Sequence, residues 1–233
     1  MENFQEVKDK IIEQAEAADF YHGTLESLRG AENWDILYGL ICFDIDLFVY
    51  QNISLPDGIY SKFFNHEIVK RAEYKEGNIT NYREWSDDNS DILVLDTPYI
   101  DGKKHGVMTR YYPNGKLDMI MPYYKGKKHG LQVRFDAEGN VREAKSYVYG
   151  LPEGAAIIYY RPTQIANIEI YREGKRHGTY LVYYVNGGVH TEGQYRNDQR
   201  EGTFTYYTEN GKVQRLVEYK DNRIVSIEPK EIV

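Results

Sequence analysis

The chain has 233 residues, 41% of them apolar, a net charge of −7 and a mean hydropathy of −0.66. That length allows one long domain or two small ones, and no apolar run is long enough to span a bilayer. A single cysteine, Cys42, excludes an internal disulfide framework and fits a reducing compartment. Apolar bulk comes to an unusual degree from 23 tyrosines, whose rings pack while their hydroxyls stay hydrated.

The start, Met1 to Glu6, has neither a basic stretch nor an apolar one, so no secretory signal is expected and a cytoplasmic location is. Asn3 with Glu6 resembles a capping box. Phe4, Val7, Ile11, Ala15 and Ala18 follow at helical spacing, which predicts a helix over 4–19, ending before Gly23. Thr24 is placed to cap a short second helix through Leu28. Residues 34–50 read two ways. Trp34, Leu37 and Ile41 fit a helix, while Phe43, Ile45, Leu47 and Val49 alternate with Asp44 and Asp46 as in a strand.

From residue 51 to 221 the chain repeats. Gly106, Gly130, Gly154, Gly178 and Gly202 are spaced 24 residues apart, a period that marks a repeat array. An aromatic residue follows each glycine by five positions (Tyr111, Phe135, Tyr159, Tyr183, Tyr207) and a tyrosine by seventeen (Tyr123, Tyr147, Tyr171, Tyr195, Tyr219). Between them lies a turn, in three copies Asn-Gly: Asn114-Gly115, Asn186-Gly187 and Asn210-Gly211. Each copy therefore reads as a β-hairpin, with both turn residues suited to positive φ. Asp57–Tyr74 and a worn copy through Tyr82, Trp85, the turn at 87–90 and Tyr99 extend the count upstream. Region 1–50 is expected to cap the exposed first hairpin, as terminal units of arrays must. The fold expected is mainly β: a single elongated antiparallel meander of about seven hairpins behind a small helical cap, with a tail at 222–233.

Alternation along each first strand separates two faces. Positions equivalent to 107, 109 and 111 are mainly apolar across the copies and are expected to form the core side. The opposite face varies and becomes aromatic. It holds Tyr112, Tyr160, Tyr180, Tyr184, Phe204 and Tyr206, the candidate partner-binding residues. The recurring glycines and the five tyrosines at plus seventeen are expected to be structural.

Tyr99-Ile-Asp-Gly102-Lys-Lys-His-Gly106 through Asn114-Gly115-Lys116, and Tyr171-Arg-Glu-Gly174-Lys-Arg-His-Gly178, resemble the bacterial MORN-variant repeat. The resemblance covers about 55–221. Bacterial proteins built of this repeat are commonly described as YwqK-type antitoxins, so it implies a non-enzymatic protein that neutralises a partner, a toxin or an effector. The array departs from the pattern at Arg161-Pro162-Thr163-Gln164, which replaces Asn-Gly, and at Asp221-Asn222-Arg223, which has lost its glycine.

Charge divides unevenly. Residues 1–101 hold 8 basic and 21 acidic side chains, and residues 102–221 hold 19 and 13. Lys103, Lys104, Lys127, Lys128, Lys175, Arg176 and Arg200 line the connections between hairpins and could hold phosphates of nucleic acid or anionic lipid. Self-association through array ends or faces is a third reading. His105, His129 and His177 share one repeat position, but copies about 10 Å apart cannot share a metal whose ligands lie about 2 Å from it, so turn capping is favoured. No nucleophile elbow, phosphate loop or metal-ligand cluster is present, and Asp44 with Asp46 lacks a third ligand. No catalytic residue, metal or cofactor is expected.

Overall fold

A computed structural model describes residues 3–20, 22–86 and 91–229. The expected turn at 87–90 lies outside them. The protein is mainly β, every strand pairing antiparallel, and it divides into two compact units, residues 1–115 and 116–233. Among the described residues, no helix is long and apolar enough to cross a membrane.

The first unit opens with four helices: α1 Phe4–Ala17, α2 His22–Gly30, α3 Trp34–Phe43 and α4 Ile45–Tyr50. Asn3 caps α1 by accepting the Gln5 N–H at 3.1 Å. The helix stops two residues earlier than its periodicity suggests, because Asp19 turns left-handed (φ 56°). The Phe20 N–H then returns to Ala15 O at 3.0 Å and the Asp19 N–H to Glu16 O at 3.1 Å, a Schellman stop with buried Phe20 as its apolar lid. Thr24 does not cap α2, which begins at His22; its hydroxyl instead lies 3.4 Å from Asp44 Oδ2. Lys8 is buried, and its ammonium closes the end of α2 by donating to Arg29 O (2.6 Å) and Ala31 O (2.7 Å).

Residues 34–50 are helical, not extended. Asn33 caps α3 through the Ile36 N–H at 3.1 Å, and the apparent alternation after Phe43 is the short α4, which buries Ile45, Phe48 and Val49. Asp44 and Asp46 therefore share no strand face. Asp46 pairs with Lys70 at 3.0 Å.

The strands of this unit are β1 Gly58–Phe64, β2 Glu67–Lys75, β3 Asn78–Trp85, β4 Leu93–Ile100, the two-residue β5 Lys103–Lys104, and β6 Gly106–Tyr111. Helices and first strands share one core. Ile11, Leu28, Leu37, Ile41 and Phe48 pack with Tyr60, Ala72, Tyr74, Ile79 and Tyr82 in that core. Helix α3 also lies along the outer edge of β1. Tyr38 donates its hydroxyl to Ile59 O, and the Cys42 sulfur accepts the Ser61 N–H. The cap thus takes up backbone groups that an open edge would offer to another strand. Burial, only partly offset by that N–H, pushes the Cys42 thiol up, as fits a packed residue.

The second unit continues with β7 Leu117–Tyr124, the two-residue β8 Lys127–Lys128, β9 Gly130–Phe135, β10 Val141–Val148, β11 Leu151–Arg161, β12 Gln164–Arg172, β13 Lys175–Tyr183, β14 Val189–Arg196, β15 Gln199–Tyr207, β16 Val213–Lys220 and β17 Arg223–Pro229. The expected tail at 222–233 is thus largely β17, paired with β16. Among the described residues, fourteen strands of six or more residues precede it, two for each expected hairpin.

The turns exchange the roles the sequence suggests. In the second unit the two-residue loops with positive φ at both positions are the connections between repeats: Lys125-Gly126 (48°, 82°), Tyr149-Gly150 (47°, 95°), Glu173-Gly174 (50°, 85°), Asn197-Asp198 (51°, 67°) and Asp221-Asn222 (50°, 67°). These are type I′ turns, whose twist matches that of the flanking strands. In the Asn-Gly loops only the glycine is left-handed (Gly115 78°, Gly187 88°, Gly211 80°). There a type I turn closes first, Gly187 N–H to Tyr184 O at 2.9 Å, and Gly188 O then accepts the Tyr184 N–H at 2.8 Å. The two departures from the repeat pattern resolve differently: Pro162-Thr163 replaces the Asn-Gly loop with a two-residue loop in which Thr163 alone is left-handed (φ 65°), and Asn222 tolerates the conformation that its lost glycine served.

The I′ turns stack on the preceding repeat. The N–H at the second turn position donates to a carbonyl 22 residues earlier: Gly150 to Lys128 (2.8 Å), Gly174 to Pro152 (2.9 Å), Asp198 to Arg176 (2.9 Å) and Asn222 to Arg200 (3.1 Å). Where that position is not glycine the side chain returns the bond, Asp198 accepting the Arg176 N–H at 2.9 Å and Asn222 the Arg200 N–H at 2.8 Å. The Arg176 amide holds the Asp198 carboxyl below its ordinary range. The residue at the histidine position caps the first N–H of the same turn: His129 accepts from Tyr149 (3.3 Å), Glu153 from Glu173 (2.7 Å) and Glu201 from Asp221 (3.1 Å), while His177 meets Asn197 Oδ1 at 3.3 Å. The 24-residue period is the spacing at which one turn satisfies the next.

Candidate binding face

In an antiparallel pair, directly opposed residues point to the same face, so the register assigns each face of the second unit. One row crosses it as Ile120, Val133, Ala144, Ile157, Ile168, Leu181, then Glu192, Thr205 and Leu216. The first six are apolar and lie on six successive long strands, yet none is buried. Beside them Leu131 is 50% exposed and Ala155 is exposed, with Ile170 directly opposite Ala155. The corresponding row of the first unit is polar: Ser61, Arg71, Arg83, Asp96 and Thr109, with Glu73 bridging Arg71 (3.4 Å) and Arg83 (3.3 Å). The equivalent row is thus polar in the first unit and apolar in the second.

The opposite face is the packed one, which reverses the expected assignment. The residue two after each repeat glycine is buried at Met108, Gln132, Ala156 and Phe204. Phe204 is 1% exposed and meets Tyr219 and Tyr195 edge-on, with ring centroids 5.1 and 5.8 Å away. Gly193 makes room for it: a Cβ there would sit 2.6 Å from the Phe204 ring. The plus-seventeen tyrosines line this same face, and cations from nearby strands lie over four of their rings. Lys128 covers Tyr147 (5.0 Å), Lys145 covers Tyr171 (4.1 Å), Arg176 covers Tyr195 (4.2 Å) and Arg200 covers Tyr219 (5.1 Å). Arg200 also donates to Tyr195 Oη at 3.4 Å and Tyr219 Oη at 3.0 Å, contacts that raise its pKa further. Burial, then a bond to Glu169 at 2.6 Å, raises the Tyr171 hydroxyl.

Alternation alone cannot tell which side of a single-layer sheet packs, because among the described residues of the second unit no helix or second sheet covers either face. Of the six aromatic candidates, Phe204 is interior, not surface. Tyr180 and Tyr206 pack against its cluster. Tyr160 and Tyr184 staple successive repeats, donating to Tyr183 O (3.0 Å) and Tyr207 O (2.7 Å). Tyr112 is half-buried. The seven basic candidates do not form one edge. Lys103, Lys127 and Lys175 are exposed, Lys104 is half-buried, and Lys128, Arg176 and Arg200 turn onto the packed face. Among the described residues, no three His, Cys, Asp or Glu side chains converge as a metal site. The apolar row is visible in the sequence as the supposed core side; only the structure reveals that it stays half-buried while the other face packs more closely.

A family described as MORN repeat variant matches residues 104–125 and 200–221. Each stretch begins two residues before a repeat glycine and ends at the next I′ turn. No protein with a curated description matches the chain.

Proposed function

We propose that the array is a protein-binding module whose working surface is the open apolar face of the second unit. The observation that carries this reading is the row Ile120–Val133–Ala144–Ile157–Ile168–Leu181, contiguous across paired strands and unburied. Contiguous half-buried apolar surface of this kind, bordered by exposed Leu131 and Ala155, marks interaction sites, and a stacked array offers an extended surface in place of a pocket. The MORN-variant match supports a binding role. Its resemblance to YwqK-type proteins supports the finer reading of an antitoxin that masks a toxin or effector without chemistry of its own. Polyanion binding is disfavoured by the stacking of Lys128, Arg176 and Arg200 on tyrosine rings.

The test is affinity capture from source cells with the intact chain and with Ile168→Glu. A charge in the middle of the row is expected to abolish capture of a specific partner while the urea midpoint stays unchanged. Recovery of the same partner by Ile168→Glu would contradict the assignment.

A further inference from the structure

We infer that this chain associates head to tail with copies of itself, the acidic helical segment of one copy seating on the open apolar row of the next. This rests on the reading of that row as a binding surface and names its occupant. The helical segment carries an unpartnered surface of its own. Helix α3, Trp-Asp-Ile-Leu-Tyr-Gly-Leu-Ile-Cys-Phe, has one charged residue, Asp35. Its inner stripe, Leu37, Ile41 and Cys42, is buried, but Ile36 and Phe43, seven residues apart on the outer side, are 45% and 68% exposed. Tyr50, at the end of α4, is 82% exposed. A helix apolar on all sides belongs in an interior, and the Lys62 ammonium, 5.1 Å above the Phe43 ring, only partly screens that outer side.

Charge selects the pairing. Residues 1–50 hold 11 acidic and 3 basic side chains, while residues 116–181, which carry the row, hold 7 acidic and 11 basic, of which Lys128, Lys145 and Arg176 stack on tyrosines of the opposite face. Lys125, Lys127, Arg172 and Lys175 are exposed along the turns at one end of the strands that form the row. Row against row would oppose like charges, and so would helix against helix; helix against row joins opposite ones. Dimensions agree. Six strands at about 4.8 Å spacing give a band about 24 Å wide, and the seven residues from Ile36 to Phe43 rise about 10 Å along their helix. A contact between two different surfaces leaves one of each free at the ends, so the assembly grows as an open chain unless its rotation closes a ring.

Sedimentation velocity on the intact protein tests this. The mass is expected to rise with concentration above the 27.3 kDa of one chain and to fall back with added salt. Phe43→Glu, lacking the helix ridge, and Ile168→Glu, lacking the row, should each be monomeric. Mixed, they should form a dimer and nothing larger, because one intact helix surface meets one intact row. Ile36→Glu and Ile157→Glu serve as a second pair should either variant unfold. A wild-type monomer at every concentration, or a mixture of variants that stays monomeric, overturns the inference. If the wild type is monomeric while Ile168→Glu still loses a foreign partner, self-association fails and the binding face stands.

Discussion

Phe204→Ala is expected to lower the unfolding free energy of the second unit by about 3–5 kcal/mol, the usual range for truncating a buried aromatic. The side chain is 1% exposed, fills the space left by Gly193, and touches Tyr195 and Tyr219 on the neighbouring strands. Its removal opens a cavity that two β-strands hydrogen-bonded on both sides cannot close. Leu131→Ala, on the other face and half exposed, should cost less than about 1 kcal/mol. Urea unfolding of both variants, followed by tyrosine fluorescence, measures the contrast. Equal losses would mean that the two faces are packed alike.

The second large effect concerns the cap. Phe48 is fully buried and meets Phe20 edge-on at 5.2 Å, inside the core that α1, α2 and α3 share with β1 to β3. Phe48→Ala is expected to remove about 3–5 kcal/mol from the first unit. The consequence extends beyond stability, because α3 is what occupies the outer edge of β1 through Tyr38 and Cys42. As the cap loosens, that edge becomes available to strands of other molecules. The variant should therefore aggregate with thioflavin-positive material during mild heating, where the wild type does not. A destabilised variant that unfolds reversibly without aggregation would show that the helices do not protect β1.

Much of this architecture is legible in the sequence because the repeat is a hydrogen-bonding period. Four of the five I′ turns named lean on a carbonyl 22 residues earlier, so Gly, Tyr and the capping His or Glu recur together, and spacing alone places the repeat glycines and plus-seventeen tyrosines. Two things escape it. Alternation separates the faces of a strand but does not say which one packs, and in a sheet without a second layer the apolar side need not be the inner one. Phe204 falls on the wrong face for that reason. Gly193, which lies outside the 24-residue register, signals its burial only once Tyr180 and Phe204 are known to flank it in space. Residues 34–50 mislead differently: Asp44 ends one helix and begins another, and this short interruption gives helical residues the look of a strand. The loss of glycine at Asn222 reads as the end of the array, yet Asn222 takes positive φ and adds a side-chain bond that glycine cannot make.

The central claim is that the two faces of the second unit differ in the sense opposite to the simple pattern, and two adjacent alanines test it with little disturbance. Ala155 is exposed on the open face and Ala156 is 7% exposed on the packed one. Each is replaced by cysteine, with buried Cys42 as the common background, and the rate of modification by a maleimide is measured in dilute native solution. Ala155→Cys is expected to react at close to the rate of a free thiol and Ala156→Cys at least about tenfold more slowly, the difference vanishing in denaturant; a faster reaction at 156 than at 155 would contradict the assignment of the open apolar row and with it the proposed binding face.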